Sequence, residues 1–138
     1  MYLLDTNVVS ELRKNKPHDA VIAWFTGIRE DEIFLSAVTF GELQAGIELT
    51  RRQNAPKAKE IEEWVDKLAA AYTILPMDSA IFREWARLMN GQPDQLSEDA
   101  MLAATARVHR LALVTRNSRD FETFDVPLLN PFSGAKQV

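Results

Sequence analysis

Five short apolar runs, separated by longer segments of helical periodicity, constrain the fold of this chain more than any other feature. A continuous apolar run that is bounded by turn residues is typical of a buried strand in a parallel sheet. Such runs are too short to form helices, which favours strands at each of them. The runs are Tyr2–Leu4, Ile33–Ser36, Thr73–Leu75, residues 111–114 and residues 127–129.

The segments between these runs carry apolar residues at helical spacing. We expect Asp19, Asp78 and Ser97 to be the N-caps of three of the helices, because all three are capping residue types. The helix after Ser97 is rich in alanine, which allows close packing against a neighbour. The predicted helices cover residues 8–13, 20–26, 38–49, 55–71, 79–89 and 98–109.

Strands that alternate with helices indicate an α/β fold in which helices cover both faces of a sheet. We therefore predict a three-layer α/β/α architecture with a short, mostly parallel central sheet. The length of 138 residues is that of one domain. We expect that single domain to cover residues 1–132, followed by a loose C-terminal tail, residues 133–138.

The composition excludes several kinds of site. The chain has no cysteine, which rules out disulfides, zinc–thiolate centres and iron–sulfur clusters, and its two histidines are too few for a histidine-dominated metal centre. The longest apolar stretch is too short to span a bilayer and no basic leader precedes the first apolar run, so we expect a cytoplasmic protein. A net charge of −4 argues against a simple nucleic-acid binder, which is usually basic.

Three aspartates fall at one predicted edge of the sheet. Asp5 ends the first strand, Asp120 follows the fourth strand after a short loop, and Asp99 lies in the first turn of the helix after Ser97. In open α/β sheets, ligands bind beyond the carboxyl ends of the strands. Each aspartate also has a purely structural alternative: Asp5 as a helix cap, Asp99 as a favourable charge at a helix N-terminus, and Asp120 as a turn former.

Glu42 is a fourth candidate carboxylate because of its position on a predicted helix. It shares a face of its predicted helix with apolar or small residues, and we expect that face to pack on the core. A carboxylate is rarely buried without a partner, and no lysine or arginine lies one turn away on the helix. The alternative is a helix rotated from this orientation. The residues that share the face with Glu42 are Val38, Ala45, Gly46 and Leu49.

Four carboxylates at one edge repel one another unless a divalent cation is bound. Oxygen ligands without histidine or cysteine favour Mg²⁺ or Mn²⁺ over zinc, and such centres are typical of phosphoryl chemistry. Without these four residues the chain has sixteen acidic and sixteen basic residues, so the whole net charge lies in the predicted centre. Arg116 and Arg119 flank the loop that carries Asp120 and are candidates for binding phosphate.

Four segments of the sequence resemble PIN-domain proteins, and more closely the VapC/FitB group of bacterial toxins from type II toxin–antitoxin modules. The resemblance runs from Tyr2 to about Phe132 and includes the closing segment LNPF. Four matching segments in the right order are far more specific than one. They are LLDTNVVSE at residues 3–11, TFGELQAG at 39–46, DAMLAATA at 99–106 and VTRNSRDF at 114–121.

The resemblance implies a Mg²⁺-dependent endoribonuclease toxin with a PIN-like fold, in which a metal-activated water hydrolyses RNA, often a tRNA or rRNA. Mn²⁺ is expected to substitute for Mg²⁺. The resemblance also implies a homodimer, inhibition by a VapB-like antitoxin, and contact with DNA only through that antitoxin. By position, Asp5, Glu42 and Asp99 match the metal-binding acids of the family, and Asp120 matches a more variable fourth acid. Polar positions that line the same site in relatives are matched by Thr6, Thr115 and Asn117.

Two other functions stay open at this point. A strand that ends in Asp-x-Thr is similar to phosphatases that form an aspartyl-phosphate, although Asn7 stands where those enzymes usually have a second acid. The chain could also be a non-catalytic partner in a DNA-bound toxin–antitoxin complex. Two positions depart from the family pattern: Leu96-Ser97 replaces a common proline, and Arg110 stands where relatives often have a glycine that ends the helix.

Overall fold

Five strands form one parallel sheet in the computed structural model, which describes residues 1–133. The strand order is β3-β2-β1-β4-β5, and all four pairings are parallel. The sheet is therefore wholly parallel, and β1 lies at its centre. The first three strands have the predicted bounds, and the last two begin one residue later than predicted. The strands are β1 (Tyr2–Leu4), β2 (Ile33–Ser36), β3 (Thr73–Leu75), β4 (Ala112–Val114) and β5 (Leu128–Leu129).

Seven α-helices lie within residues 1–133, and six of them correspond to the predicted ones. The seventh, α7, was not predicted because its four residues are too few to show a helical period. Short 3-10 turns cover Glu30–Glu32, Asp94–Leu96, Glu122–Phe124 and Pro131–Ser133. The helices are α1 (Thr6–Arg13), α2 (Asp19–Thr26), α3 (Ala37–Arg51), α4 (Ala55–Ala71), α5 (Ser79–Met89), α6 (Ser97–His109) and α7 (Ser118–Phe121).

Two of the three predicted N-caps are wrong. His18 caps α2 in place of Asp19, because its ring Nδ1 accepts a 3.1 Å hydrogen bond from the backbone N–H of Ala20. Leu96 precedes α6 in place of Ser97, since the preceding 3-10 turn runs directly into the helix. The prediction for Asp78 is confirmed: its Oδ1 accepts a 2.9 Å bond from the N–H of Ile81.

Arg110 ends α6 in the left-handed conformation that glycine usually adopts. Its φ and ψ angles are 56° and 48°, and the N–H of Leu111 donates a 2.8 Å bond back to the carbonyl of Ala106. A side chain other than glycine in this conformation costs about 1 kcal/mol. The helix therefore ends where the sequence predicted, at the expense of local backbone strain.

Apolar clusters on both faces of the sheet confirm the three-layer architecture. Leu3 and Leu113 point to a cluster with α6, whereas Leu4 and Val114 point to a cluster with α1 on the other face. This alternation follows from the two-residue period of a strand. The four alanines of α6 at positions 100, 103, 104 and 106 are fully buried, which confirms the predicted close packing of that helix.

The predicted orientation of α3 is wrong. Leu49 is 62% exposed, and Ala45 and Gly46 are exposed as well, so this face lies towards solvent. Ile47 is buried, and the bulkier Phe40 and Leu43 pack beside it against the core. Large side chains remove more apolar area from water than small ones, and they set the rotation of the helix.

The described part of the chain, residues 1–133, contains no helix that is both long and apolar enough to cross a membrane. The loose tail predicted over residues 133–138 cannot be compared as a whole, because residues 134–138 lie outside the described residues. Ser133 itself belongs to the last 3-10 turn.

Candidate functional site

Several acidic side chains lie at the carboxyl edge of the parallel sheet. Asp5 directly follows β1, and Ser36 ends β2 and caps α3, which carries Glu42 in its second turn. Asp99 lies in the first turn of α6, and Asp120 lies in α7, after β4. The topology therefore brings residues from four distant segments to one edge.

Asp5 is the most deeply buried of these carboxylates, with an exposed fraction of 7%. Its Oδ2 accepts a 2.8 Å hydrogen bond from the hydroxyl of Thr115 and a 3.3 Å bond from the amide of Asn7. Its Oδ1 accepts a 2.7 Å bond from the N–H of Thr6, so Asp5 also caps α1. Burial nevertheless raises the pKa of Asp5 above its usual value, and the charge of Asp120 raises it further.

Glu42 is half-buried and contacts the residue that follows Asp5. The hydroxyl of Thr6 lies 2.6 Å from Oε1 of Glu42 and 3.1 Å from the hydroxyl of Thr39, which is buried in α3. Burial raises the pKa of Glu42 to about 7, and the charges of Glu98 and Asp5 add to the shift. The hydrogen-bond partner of Glu42 is thus a hydroxyl group on α1. The carboxylate faces the acid centre, although α3 is rotated from the predicted orientation.

Asp99 is half-buried beside the other acids. Burial raises its pKa to about 6, and the charges of Asp5, Asp120 and Glu98 contribute in that order. The direction of these shifts is that expected for carboxylates that share one edge of the sheet without a cation between them. Within residues 1–133 none of these acids forms an ion pair with a lysine, arginine or histidine.

Glu98 is an acid of this centre that the sequence analysis missed. It is exposed in the first turn of α6, and it raises the pKa of both Glu42 and Asp99. Its position next to Asp99 was the available signal, but an acid in a first helical turn is common for reasons of the helix dipole alone. Asp120 is exposed as well and lies at the rim of the centre.

The loop after β4 supplies polar and basic groups beside the acids. Thr115 is buried, and its Oγ1 accepts a 3.0 Å bond from the N–H of Asn117 while it donates to Asp5. The guanidinium of Arg116 stacks on the ring of Phe132, with 4.5 Å between Cζ and the ring centroid. A shallow cavity of about 390 Å³ opens here. It is lined by Arg116, Asn117, Ser118, Arg119, Asp120 and Asn130.

The chemistry of these donors fits a hard divalent cation. Every acidic group of the centre offers carboxylate oxygens, and these are the ligands that Mg²⁺ and Mn²⁺ prefer. In the part of the chain that the structure describes, no three acidic or histidine side chains are close enough to share one ion. Binding of such an ion would therefore require these side chains to turn from their present positions.

Comparisons with known proteins agree with this architecture. The PIN domain family matches residues 2–127. The toxin FitB of Neisseria gonorrhoeae is 32% identical over 96% of this chain and 99% of its own length. The VapC ribonuclease Y4jK of Sinorhizobium fredii is 33% identical over 98% of this chain and 100% of its own.

Solved structures lead to the same family. The structure of FitAcB from Neisseria gonorrhoeae superimposes with a TM-score of 0.85 at 31% identity, covering 96% of this chain and 99% of that one. The DNA-bound VapBC complex of Salmonella typhimurium contains a chain that is 22% identical, with a TM-score of 0.77 over 94% of this chain and 97% of that one, and it shows the fold alone. With its wholly parallel sheet and its acids at the carboxyl edge, this chain belongs to the PIN domain family, within the group that includes the FitB and VapC toxins.

Proposed function

We propose that this chain is a Mg²⁺-dependent endoribonuclease toxin of a type II toxin–antitoxin module. The observation that carries the proposal is the acid centre. Asp5, Glu42 and Asp99 come from distant segments to the carboxyl edge of the sheet, and none of them has a cationic partner within residues 1–133. The names of two relatives, a toxin and a VapC ribonuclease, support the same activity for this chain.

Asp5, Glu42 and Asp99 are the residues that would hold the metal, with Asp120 and Glu98 at the rim. When bound, Mg²⁺ or Mn²⁺ supplies Lewis-acid activation of a water molecule and of the phosphoryl oxygens. The chain itself needs no nucleophilic side chain for hydrolysis of this kind. The exposed acids, rather than the buried Asp5, have the freedom to adjust to the substrate.

The polar residues around the acids would hold them in position. Thr115 and Thr6 donate hydrogen bonds to Asp5 and Glu42, and such bonds fix the orientation of carboxylate ligands. Asn117 supports Thr115 through its backbone N–H. Arg116 and Arg119 line the cavity beside Asp120 and would bind phosphates of the RNA backbone.

The proposed partners follow from the same family. The substrate would be a cellular RNA, with tRNA and rRNA as the main candidates, and the inhibitor a VapB-like antitoxin. DNA would be contacted only through that antitoxin, and the toxin would act as a homodimer in the cytoplasm. Residues 1–132 would form a single PIN domain.

Cleavage of total tRNA and rRNA by the purified chain tests the proposal. We expect cleavage with Mg²⁺ or Mn²⁺, none with EDTA, and a loss of at least a hundredfold for Asp99→Asn. Asp66→Asn is the matched control, because Asp66 is an exposed helical aspartate on α4, away from the acids. Full activity of a folded Asp99→Asn protein would refute the site. A wild-type chain that binds metal but cuts no RNA would favour the non-catalytic alternative, and metal-dependent turnover of p-nitrophenyl phosphate would favour a phosphatase.

A further inference from the structure

A groove between α1, α3 and α4 begins at the acid centre and leads away from it. Thr6 and Glu42, the hydrogen-bonded pair of the centre, form its near end. The side chains of Leu43, Ile47 and Ile61 give it an apolar lining, and the groove has a volume of about 240 Å³. We call this feature the α1–α3 groove. It shares two side chains with the acid centre, so a molecule bound at the centre can extend directly into it.

One face of α1 carries polar groups along the whole groove. Thr6, Ser10 and Arg13 are spaced by four and three residues, which places them on the same side of the helix. Arg13 lies about 10 Å from Thr6 along the helix axis, at a rise of about 1.5 Å per residue. The groove therefore has an acidic end, an apolar middle and a basic end.

Arg13 has a positive charge that no other described group neutralises. Within residues 1–133 its guanidinium forms no ion pair and no hydrogen bond. Neighbouring cations differ: Lys14 pairs with Glu11 at 2.8 Å, and Arg51 pairs with Glu48 and Glu62 at 2.9 and 3.0 Å. Arg13 is thus available to an anion from outside the chain.

This combination of groups fits one nucleotide of an RNA strand. The aliphatic side chains can pack against the face of a base, as apolar side chains do in enzymes that hold a base out of its stack. An arginine then neutralises the phosphate of that nucleotide. Leu43 and Ile61 are partly exposed and can offer this apolar surface to the base, whereas the buried Ile47 supports them from the core.

We infer that the α1–α3 groove binds the nucleotide next to the scissile phosphate, with Arg13 on the phosphate of that nucleotide. The inference rests on the proposed function and adds a substrate-binding site to it. The cavity beside Asp120, with Arg116 and Arg119, borders a different side chain of the acid centre. The RNA strand would therefore meet arginines on both sides of the acid centre: Arg13 in the α1–α3 groove, and Arg116 and Arg119 in the cavity beside Asp120.

Binding of RNA by an uncut complex tests this assignment. The probe is a short, fluorescein-labelled, single-stranded RNA of mixed sequence, measured by fluorescence anisotropy in Mg²⁺ with the Asp99→Asn background. We expect Arg13→Gln to weaken binding about fivefold to tenfold and to lower the slope of log K against log salt by about 0.7, the value for one phosphate on a single strand. Arg83→Gln is the matched control, because Arg83 is an exposed arginine on α5 that lines none of these cavities.

A second pair of variants tests the groove itself. Gly46 lines the groove, and a Cβ added there meets no atom within 4 Å, so this helical position has room for a side chain. We expect Gly46→Leu to fill the groove and to raise KM for RNA at least fivefold in the chain that retains Asp99. Ala70→Leu, which adds a leucine at an exposed position of α4 outside the groove, should leave KM within twofold of wild type.

The outcomes separate this inference from the proposed function. If the wild-type chain cuts RNA but Arg13→Gln and Arg83→Gln bind the probe equally well, the groove assignment is wrong and the ribonuclease proposal stands. The groove assignment is also wrong if Gly46→Leu impairs only the capture of an antitoxin and leaves KM for RNA unchanged. If the wild-type chain neither binds nor cuts RNA with metal present, both proposals fail.

Discussion

The hydroxyl of Thr115 donates a 2.8 Å hydrogen bond to Oδ2 of Asp5, and this bond joins two residues that are 110 positions apart in the chain. It forms where the neighbouring strands β1 and β4 end, and both residues are buried. The bond stabilises the ionised form of a carboxylate whose burial favours the protonated form. Thr115 therefore helps to keep Asp5 negative, as its proposed role as a metal ligand requires.

Removal of that hydroxyl should weaken both the fold and metal binding. We expect Thr115→Val to lower the free energy of unfolding by about 1–2 kcal/mol, because a buried carboxylate loses a hydrogen-bond donor. Affinity for Mg²⁺ should fall about tenfold, as it does when a group that orients a ligand is removed. Urea unfolding and calorimetric titration measure the two effects. Thr115→Ser keeps the hydroxyl and should stay close to wild type in both.

Asp5 and Asp99 should respond differently to neutralisation in the absence of metal. The pKa of Asp5 is raised as well, but Asp5 accepts three hydrogen bonds that an asparagine cannot all replace, and we expect their loss to outweigh the relief of charge. Asp5→Asn should therefore destabilise the protein in EDTA by about 1–2 kcal/mol. Asp99 is held at a raised pKa by burial and like charges, so Asp99→Asn should stabilise it at pH 7.5 by on the order of 1 kcal/mol after allowance for solvent screening. Thermal and urea unfolding in EDTA test both changes. Equal destabilisation by the two variants would indicate that Asp99 has a structural role instead.

Stability of the metal-free protein should rise as the pH falls from about 8 to about 5. The folded-state pKa values of Glu42 and Asp99, about 7 and about 6, lie above their ordinary values, so the folded state binds more protons than the unfolded state in this range. Below about pH 4.5 the trend should reverse, because Glu11 and Glu84 have lowered pKa values and lose stabilising ion pairs on protonation. Urea unfolding in EDTA across this range measures the profile. A profile that is flat between pH 8 and 5 would contradict the shifts of both acids.

Binding of Mg²⁺ should release protons near neutral pH. A metal ligates the ionised carboxylate, and part of the Glu42 population is protonated at pH 6.5 because its pKa is about 7. Calorimetric titrations at pH 6.5, in two buffers of different ionisation enthalpy, should therefore differ in apparent enthalpy. At pH 8.5 the difference should nearly vanish. Glu42→Gln should reduce the difference at pH 6.5, whereas the exposed Glu60→Gln should not.

Glycine in place of Arg110 should stabilise the protein. Arg110 adopts a φ angle of 56°, and glycine reaches this conformation without the steric cost. We expect Arg110→Gly to raise the free energy of unfolding by about 0.5–1 kcal/mol, part of the gain being offset by the greater freedom of glycine in the unfolded chain. Arg110→Ala keeps the backbone strain and serves as the control. Equal stability of the two variants in urea would show that the strain is relieved elsewhere.

Most of the fold could be predicted because local signals agree with the final packing. The strands β1, β2 and β3 and the helix α4 have the predicted bounds, since each apolar run or periodic segment ends at turn or capping residues. The orientation of α3 could not be obtained this way, because Ala45 and Gly46 count as apolar in a periodic pattern but bury little area. Phe40, Leu43 and Ile47 decide the orientation, and their neighbours in space come from other segments.

Only part of the candidate site could be predicted, because local sequence patterns locate strand ends but not the contacts between helices. Strand ends can be read from sequence, so Asp5 and Asp120 were placed at the correct edge of the sheet. Glu42 was included for a reason that the structure contradicts, and it contacts Thr6 because of how α3 crosses α1. Glu98 was missed, since its effect on Glu42 depends on the distance between α3 and α6, which no local pattern encodes.

The position of β1 in the middle of the sheet gives the acids unequal mobility. Backbone hydrogen bonds to β2 and β4 hold this strand on both sides, so the backbone of Asp5, which follows it directly, is held in place. The other acids extend from helices, so their positions depend on how α3, α6 and α7 pack against the sheet. In the proposed reaction, any change in metal coordination would therefore fall on the acids that the helices carry, while Asp5 would stay in place.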